Sequence, residues 1–73
     1  MKITIENTSK VISFNGIPAR VWEGVTEKGV PVHCFITRVA VATNQDCSEF
    51  DRDLTETRAP SPEVEAYPAR LLL

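Results

Sequence analysis

At 73 residues, 42% apolar, 25% charged and a formal charge of −2, the chain has the composition of one small globular domain spanning 1–73. That balance argues against electrostatic binding of DNA or RNA, and no apolar run approaches the roughly 18 residues of a membrane helix. A chain this short buries only about 60% of its unfolded surface, so its core is marginal without a staple or a partner.

Eight Val, five Ile and seven Thr, against four Leu of which three are Leu71, Leu72 and Leu73, favour a sheet over the first forty residues. Met1-Lys2 leads straight into alternating residues, so no secretory leader is expected and a cytoplasmic setting is. Lys2-Ile3-Thr4-Ile5-Glu6 alternates with period two and reads as a first strand closed by Asn7-Thr8-Ser9; the alternation resumes from Lys10 to Phe14. Asn15-Gly16 then marks a two-residue type I′ turn, because both central positions need positive φ. Such a turn pairs Phe14 with Ile17, Ile12 with Ala19 and Lys10 with Val21. One face carries Ile12, Phe14, Ile17, Ala19 and Val21, and Val11, Ser13, Arg20 and Trp22 take the other.

A second turn at Thr26-Glu27-Lys28-Gly29 allows two registers. If Glu27-Lys28 is a two-residue loop, Val21 faces Cys34, Ala19 faces Ile36 and Trp22 faces His33. If Gly29 sits in the left-handed region, the register slips by one and every return-strand side chain changes face. The turn chemistry suits the second. The first gathers Ala19, Val21, Val25, Val30, Val32, Cys34 and Ile36 on one side and is the preferred expectation.

Beyond Ala42-Thr43-Asn44-Gln45 the period changes. Asp46 with Glu49 three residues on is a capping-box pattern, and Cys47, Phe50 and Leu54 follow at helical spacing, which predicts an amphipathic helix over about 46–58. Ala59-Pro60-Ser61-Pro62 is a stiff connector in which Ser61 can cap a short turn begun by Pro62 and stopped by Pro68. Arg70-Leu71-Leu72-Leu73 should add an edge strand or dock on another subunit, making Leu71, Leu72 and Leu73 a candidate oligomer interface. The expected fold is α+β: a small antiparallel meander of three to five strands, one helix on one face, and an extended C-terminal segment.

No pattern points to catalysis or to a cofactor. His33 has no nucleophile or orienting carboxylate specified beside it, and no glycine-rich phosphate loop exists, since Gly16, Gly24 and Gly29 read as strand ends or turns. His33 and Cys34 point to opposite faces of a strand, Asp51 and Asp53 do not share a helix face, and no metal site is expected. Cys34 and Cys47, 13 apart, read as two buried free thiols.

Two surfaces remain as candidates for binding. In the preferred register the second sheet face displays Arg20, Trp22, His33, Phe35 and Thr37, with Arg38 and Val39 beyond. One helix cannot cover both faces, so an aromatic and arginine-rich patch is left for a partner. Stacking on Trp22 with Arg20 or Arg38 on a phosphate would suit a nucleotide held between subunits. The other surface is acidic: residues 1–43 carry a net +2 and residues 44–73 a net −4, with Asp46, Glu49, Asp51, Asp53 and Glu56 clustered. It would suit a basic groove on a partner protein.

Asn15-Gly-Ile-Pro-Ala-Arg-Val-Trp-Glu-Gly24, Gly29-Val-Pro-Val-His-Cys-Phe-Ile-Thr-Arg38 and Arg58-Ala-Pro-Ser-Pro together resemble short open reading frames of tailed phages and prophages. The resemblance spans nearly the whole chain, carries no catalytic motif and transfers no functional residue. It implies an accessory protein working in the host cytoplasm. The resulting expectation is a non-enzymatic binding protein that inhibits a host defence component. The alternatives are an oligomeric sponge sequestering a nucleotide signal, and a self-assembling structural protein. A host protein or small nucleotide is the expected partner, in a homo-oligomer, with no membrane involved.

Overall fold

The computed structural model describes residues 1–42, 44 and 46–71. β-branched and alternating residues build three long strands, β1 (Ile3–Phe14), β2 (Ile17–Thr26) and β3 (Pro31–Ile36). Helix α1 (Ser48–Thr55), the single turn α2 (Pro62–Glu65) and the short strand β4 (Arg70–Leu71) follow. The sheet order is β3-β2-β1-β4, with β4 parallel to β1 and the other pairs antiparallel. The architecture is the expected small α+β sheet with a helix, but β4 makes the sheet mixed where a pure meander was expected.

The first hairpin forms as its residues require. Asn15 and Gly16 take φ of 51° and 87°, and Phe14 pairs with Ile17 and Ile12 with Ala19. Asn7-Thr8-Ser9 does not close a strand. The chain continues as β1 through an irregularity between Asn7 and Val11, where the pairing jumps from Asn7–Trp22 to Val11–Arg20. The fully buried Thr8 secures that bulge: its hydroxyl donates to the Val21 carbonyl at 2.7 Å, and Arg20 Nη1 donates to the Thr8 carbonyl at 2.8 Å.

The second hairpin takes the register that was not preferred. Gly29 adopts φ 83°, its N–H donates to the Thr26 carbonyl at 2.9 Å, and the Thr26 N–H donates to Val30 O at 2.9 Å. A three-residue loop closed by a left-handed glycine matches the strand twist, whereas an ordinary two-residue Glu-Lys loop would need positive φ at residues that resist it. Val21 therefore pairs with Phe35, Trp22 with Cys34, Glu23 with His33 and Arg20 with Ile36. Phe35 supplies the apolar neighbour that Cys34 was expected to give Val21.

The core is small. Among the described residues Ile12, Ala19, Val21 and Val64 are the buried apolar ones, and Phe14, Tyr67 and Leu71 pack on the cluster of Ile12, Val21 and Val64. It is α2 that covers this face, capped by Ser61, which accepts the Val64 N–H, with Pro62 beginning the turn. Helix α1 instead borders the Trp22 face, where the Asn7 side chain donates to the Leu54 carbonyl at 3.1 Å. It is shorter than the expected 46–58 and buries none of its residues fully. Cys47 occupies its N-cap position without a side-chain bond, while Asp46 caps from one residue earlier by accepting the Ser48 N–H at 3.0 Å. The outer edge of β1 is occupied: Ser9 N–H donates to Arg58 O, Ser13 N–H to Ala69 O and Asn15 N–H to Leu71 O.

Candidate functional site

The one-residue slip at Gly29 divides the expected binding face. Arg20 and Trp22 share a face with Cys34 and Ile36, and His33 and Phe35 lie on the other with Val21 and Glu23. Thr37 and Arg38 leave the end of β3 and rejoin Arg20 and Trp22 around a shallow groove of about 610 Å³, walled by Val11, Ile36 and the α1 residue Leu54. Trp22 is half-buried, and a second groove of about 440 Å³ opens on its other side, between Phe50 and Arg58. The Arg20 guanidinium has one N–H committed to Thr8, and Arg38 is exposed. Among the described residues neither forms an ion pair with a carboxylate. Four residues named from the sequence thus meet at one groove, which has apolar walls, an indole and two unneutralised cations.

His33 and Phe35 join a cluster that sequence reading missed. Phe35 stacks edge-on against Phe14 at 4.8 Å and Tyr67 at 5.3 Å between ring centroids. His33 Nδ1 lies 3.0 Å from the Tyr67 hydroxyl, and its Nε2 lies 3.9 Å from Glu23 and 3.8 Å from Glu63. The imidazole thus links the Tyr67 hydroxyl on one side to two carboxylates on the other, and the direction of the His33–Tyr67 bond follows the imidazole's tautomer. Glu23 itself is buried, accepts the Ser61 hydroxyl, accepts the Ser61 N–H at 3.0 Å, and pairs with Arg58 Nη1 at 3.2 Å. Burial alone would push its carboxyl up. The Ser61 bonds and the Arg58 and His33 charges outweigh that and hold it below the usual carboxylate range.

Arg58 has a further task. Glu6 and Glu23 sit directly opposite each other on β1 and β2, a repulsive cross-strand pair, and Arg58 bridges both at 3.2 Å. The cluster ties the 58–61 connector to the sheet. The Ser61 hydroxyl is engaged by the Glu23 carboxylate, which fixes it as a cap and a tether of the connector. Only the Pro60 and Pro62 spacing and the lone buried-strand Glu23 hinted at it, because its members are 38 residues apart in the chain.

The remaining expected residues fall as follows. Asp46, Glu49, Asp51, Asp53 and Glu56 are all exposed, and Ser48 holds the Asp46 carboxyl below its usual range. Cys34 and Cys47 are free thiols, but half-buried and exposed where burial was expected, because α1 stands off the sheet. Leu71 is half-buried on β1 and used within the chain, pairing with Phe14; Leu72 and Leu73 lie outside the described residues, as do Thr43 and Gln45. Gly24 is no strand end but stands inside β2. Among the described residues no group of three His, Cys, Asp or Glu is placed to hold a metal, and no helix is long and apolar enough to cross a membrane.

The molecule is therefore a small α+β domain whose candidate binding surface is a grooved sheet face under a loosely held helix. No family model, curated protein or solved structure matches the chain.

Proposed function

We propose that this chain is a non-enzymatic binding protein of phage type that inhibits a host defence component by engaging it through the Trp22 groove. The observation that carries the reading is the meeting of Arg20, Trp22, Thr37 and Arg38 around one concavity, with neither arginine neutralised by a carboxylate. Tryptophan and arginine dominate binding hot spots because they combine large desolvated area with directed donors. A target presenting an apolar side chain flanked by carboxylates would fill the groove and answer both charges. The exposed acids of α1 would form a second, rim-like contact with basic groups of the target.

The test is phage plating on hosts that each carry one defence system, with and without this protein. Wild type should restore plating on at least one host. Trp22→Ala combined with Arg38→Glu should abolish the rescue while retaining the circular dichroism of the wild type. No rescue on any host, or rescue undiminished in the double variant, would count against the reading.

The same four residues favour a second reading, sequestration of a nucleotide, with the base on Trp22 and a phosphate on Arg38. Cyclic and linear nucleotides should then raise the melting temperature in a concentration-dependent way. A flat response across the panel removes this alternative and leaves the first.

A further inference from the structure

The hydrogen-bond phase of the sheet determines which groups β3 turns outward. Thr26 N–H donates to Val30 O, so Gly24–Val32, Trp22–Cys34 and Arg20–Ile36 are the bonded pairs and Val25–Pro31, Glu23–His33 and Val21–Phe35 the unbonded ones. The N–H and C=O groups of His33 and Phe35 therefore point away from β2, as does the position of Pro31, which has no N–H to lose. No described residue outside β2 bonds to the β3 backbone. The contrast with β1 is direct, since Arg58, Ala69 and Leu71 occupy the outer edge of that strand. From Val32 to Ile36 there is no Lys, Glu or bulge of the kind that blunts open edges.

We infer that β3 pairs with β3 of a second copy of this chain, antiparallel about a two-fold axis through Cys34, to make one continuous sheet. In that register His33 faces Phe35 of the second copy twice over, so each residue with an outward donor and acceptor meets another, giving about four main-chain hydrogen bonds. Val32 faces Ile36 of the second copy on the Trp22 side, and Cys34 faces its own equivalent in an unbonded pair, where Cα atoms lie about 4.5 Å apart. Centring the pair on His33 would oppose two imidazoles and set Phe35 against the donorless Pro31. The occupant is a second copy because the edge is self-complementary: from Val32 to Ile36 it carries no Lys, Arg, Asp or Glu, its side chains match across the axis on both faces, and the antiparallel sense brings Arg38 of each copy opposite Val30, beside the Glu27-Lys28 turn of the other, instead of onto its own equivalent. A parallel pair would stack Arg38 on Arg38. The 37%-exposed Phe35 ring gains cover by this pairing. The inference rests on the strand edge and is independent of what fills the groove.

Sedimentation equilibrium of the full chain should give a concentration-dependent mass rising from 8.1 kDa to twice that value. Cys47→Ser, which keeps Cys34 as the only thiol, should cross-link as a dimer under copper-phenanthroline, and Cys34→Ser should not, because the facing unbonded pair lies within disulfide reach. Chemical synthesis with N-methyl-Phe35 keeps the side chain and the β2 ladder but removes an outward N–H from each copy, and should weaken the dimer about tenfold or more. Monomer mass at all concentrations up to millimolar would overturn the inference. So would a dimer that N-methylation leaves unchanged, or one that Cys34 fails to cross-link.

Discussion

Glu23 shows how one residue reshapes the chemistry around it. Its carboxylate is buried on the strand face that otherwise carries Val21 and Ala19, and is tolerable there because Ser61 supplies two donors and Arg58 a charge. Glu23→Gln should cost about 1.5–3 kcal/mol in urea unfolding, since a charge-assisted set of bonds is replaced by neutral ones while Arg58 loses half of its clamp. The sign of the pH dependence follows from the lowered carboxyl. The stabilisation is fully present above the unfolded value near 4.3 and disappears as pH falls through the lower folded value. Wild type should thus lose stability on acidification below about pH 4 by more than Glu23→Gln does; parallel losses in the two proteins would refute the assignment. Gly24 is constrained sterically: a Cβ there would overlap the Thr4 carbonyl oxygen and come 2.7 Å from Ile5 Cα, both backbone atoms of the adjacent strand. Gly24→Ala should therefore destabilise by about 1–3 kcal/mol, as overpacking does, and not gain the usual strand benefit of a side chain. The residue types alone did not disclose either constraint. Alternation puts Glu23 on the face of Val21 but does not say what would meet its charge there, and only the return of the chain at 58–61 puts partners over it.

At the scale of elements, turns decide more than strands do. Asn15-Gly16 specifies its turn, its register and its faces, because two consecutive positive-φ residues admit one hairpin geometry. Glu27-Lys28-Gly29 admits two, and the choice moved His33 and Phe35 to the face opposite Trp22. Gly29→Val should cost about 1–2 kcal/mol, the penalty of a side chain in the left-handed region, while Gly29→Asn should be milder; equal effects of the two would show that φ at this position is not the cause. The helix was legible in type and approximate place from Cys47, Phe50 and Leu54, but not in the face it would take. Periodicity reports that a stripe is apolar, not which side of a sheet it meets. With α2 and Tyr67 occupying the Val21 side, α1 goes to Trp22.

For the whole molecule, the shortage of core is the governing fact. Among the described residues four buried apolar side chains hold a sheet of four strands, and none of them comes from α1. Stability should consequently be uneven. Amide exchange is expected to be slowest in the β1–β2 ladder around Ile12 and Val21, and close to unprotected in α1; uniform protection would contradict this distribution. Val64→Ala should lower global stability by about 2 kcal/mol through lost burial and an unfilled space at the α2 contact, and Leu54→Ala by less. Composition and alternation determined a small α+β fold with a thin core, and they named Arg20, Trp22, Thr37 and Arg38, together with His33 and Phe35, as candidates for one binding face. Those properties follow from local periodicity and from surface-to-volume scaling, which any sequence carries within itself. Only the tertiary structure decided that these four meet at a groove, that His33 and Phe35 leave them, that Glu23 is held by the connector, and that β3 is left as the open edge. Each of these depends on a strand register or on a contact between distant segments, where a one-residue slip costs little locally and exchanges the faces of an entire strand.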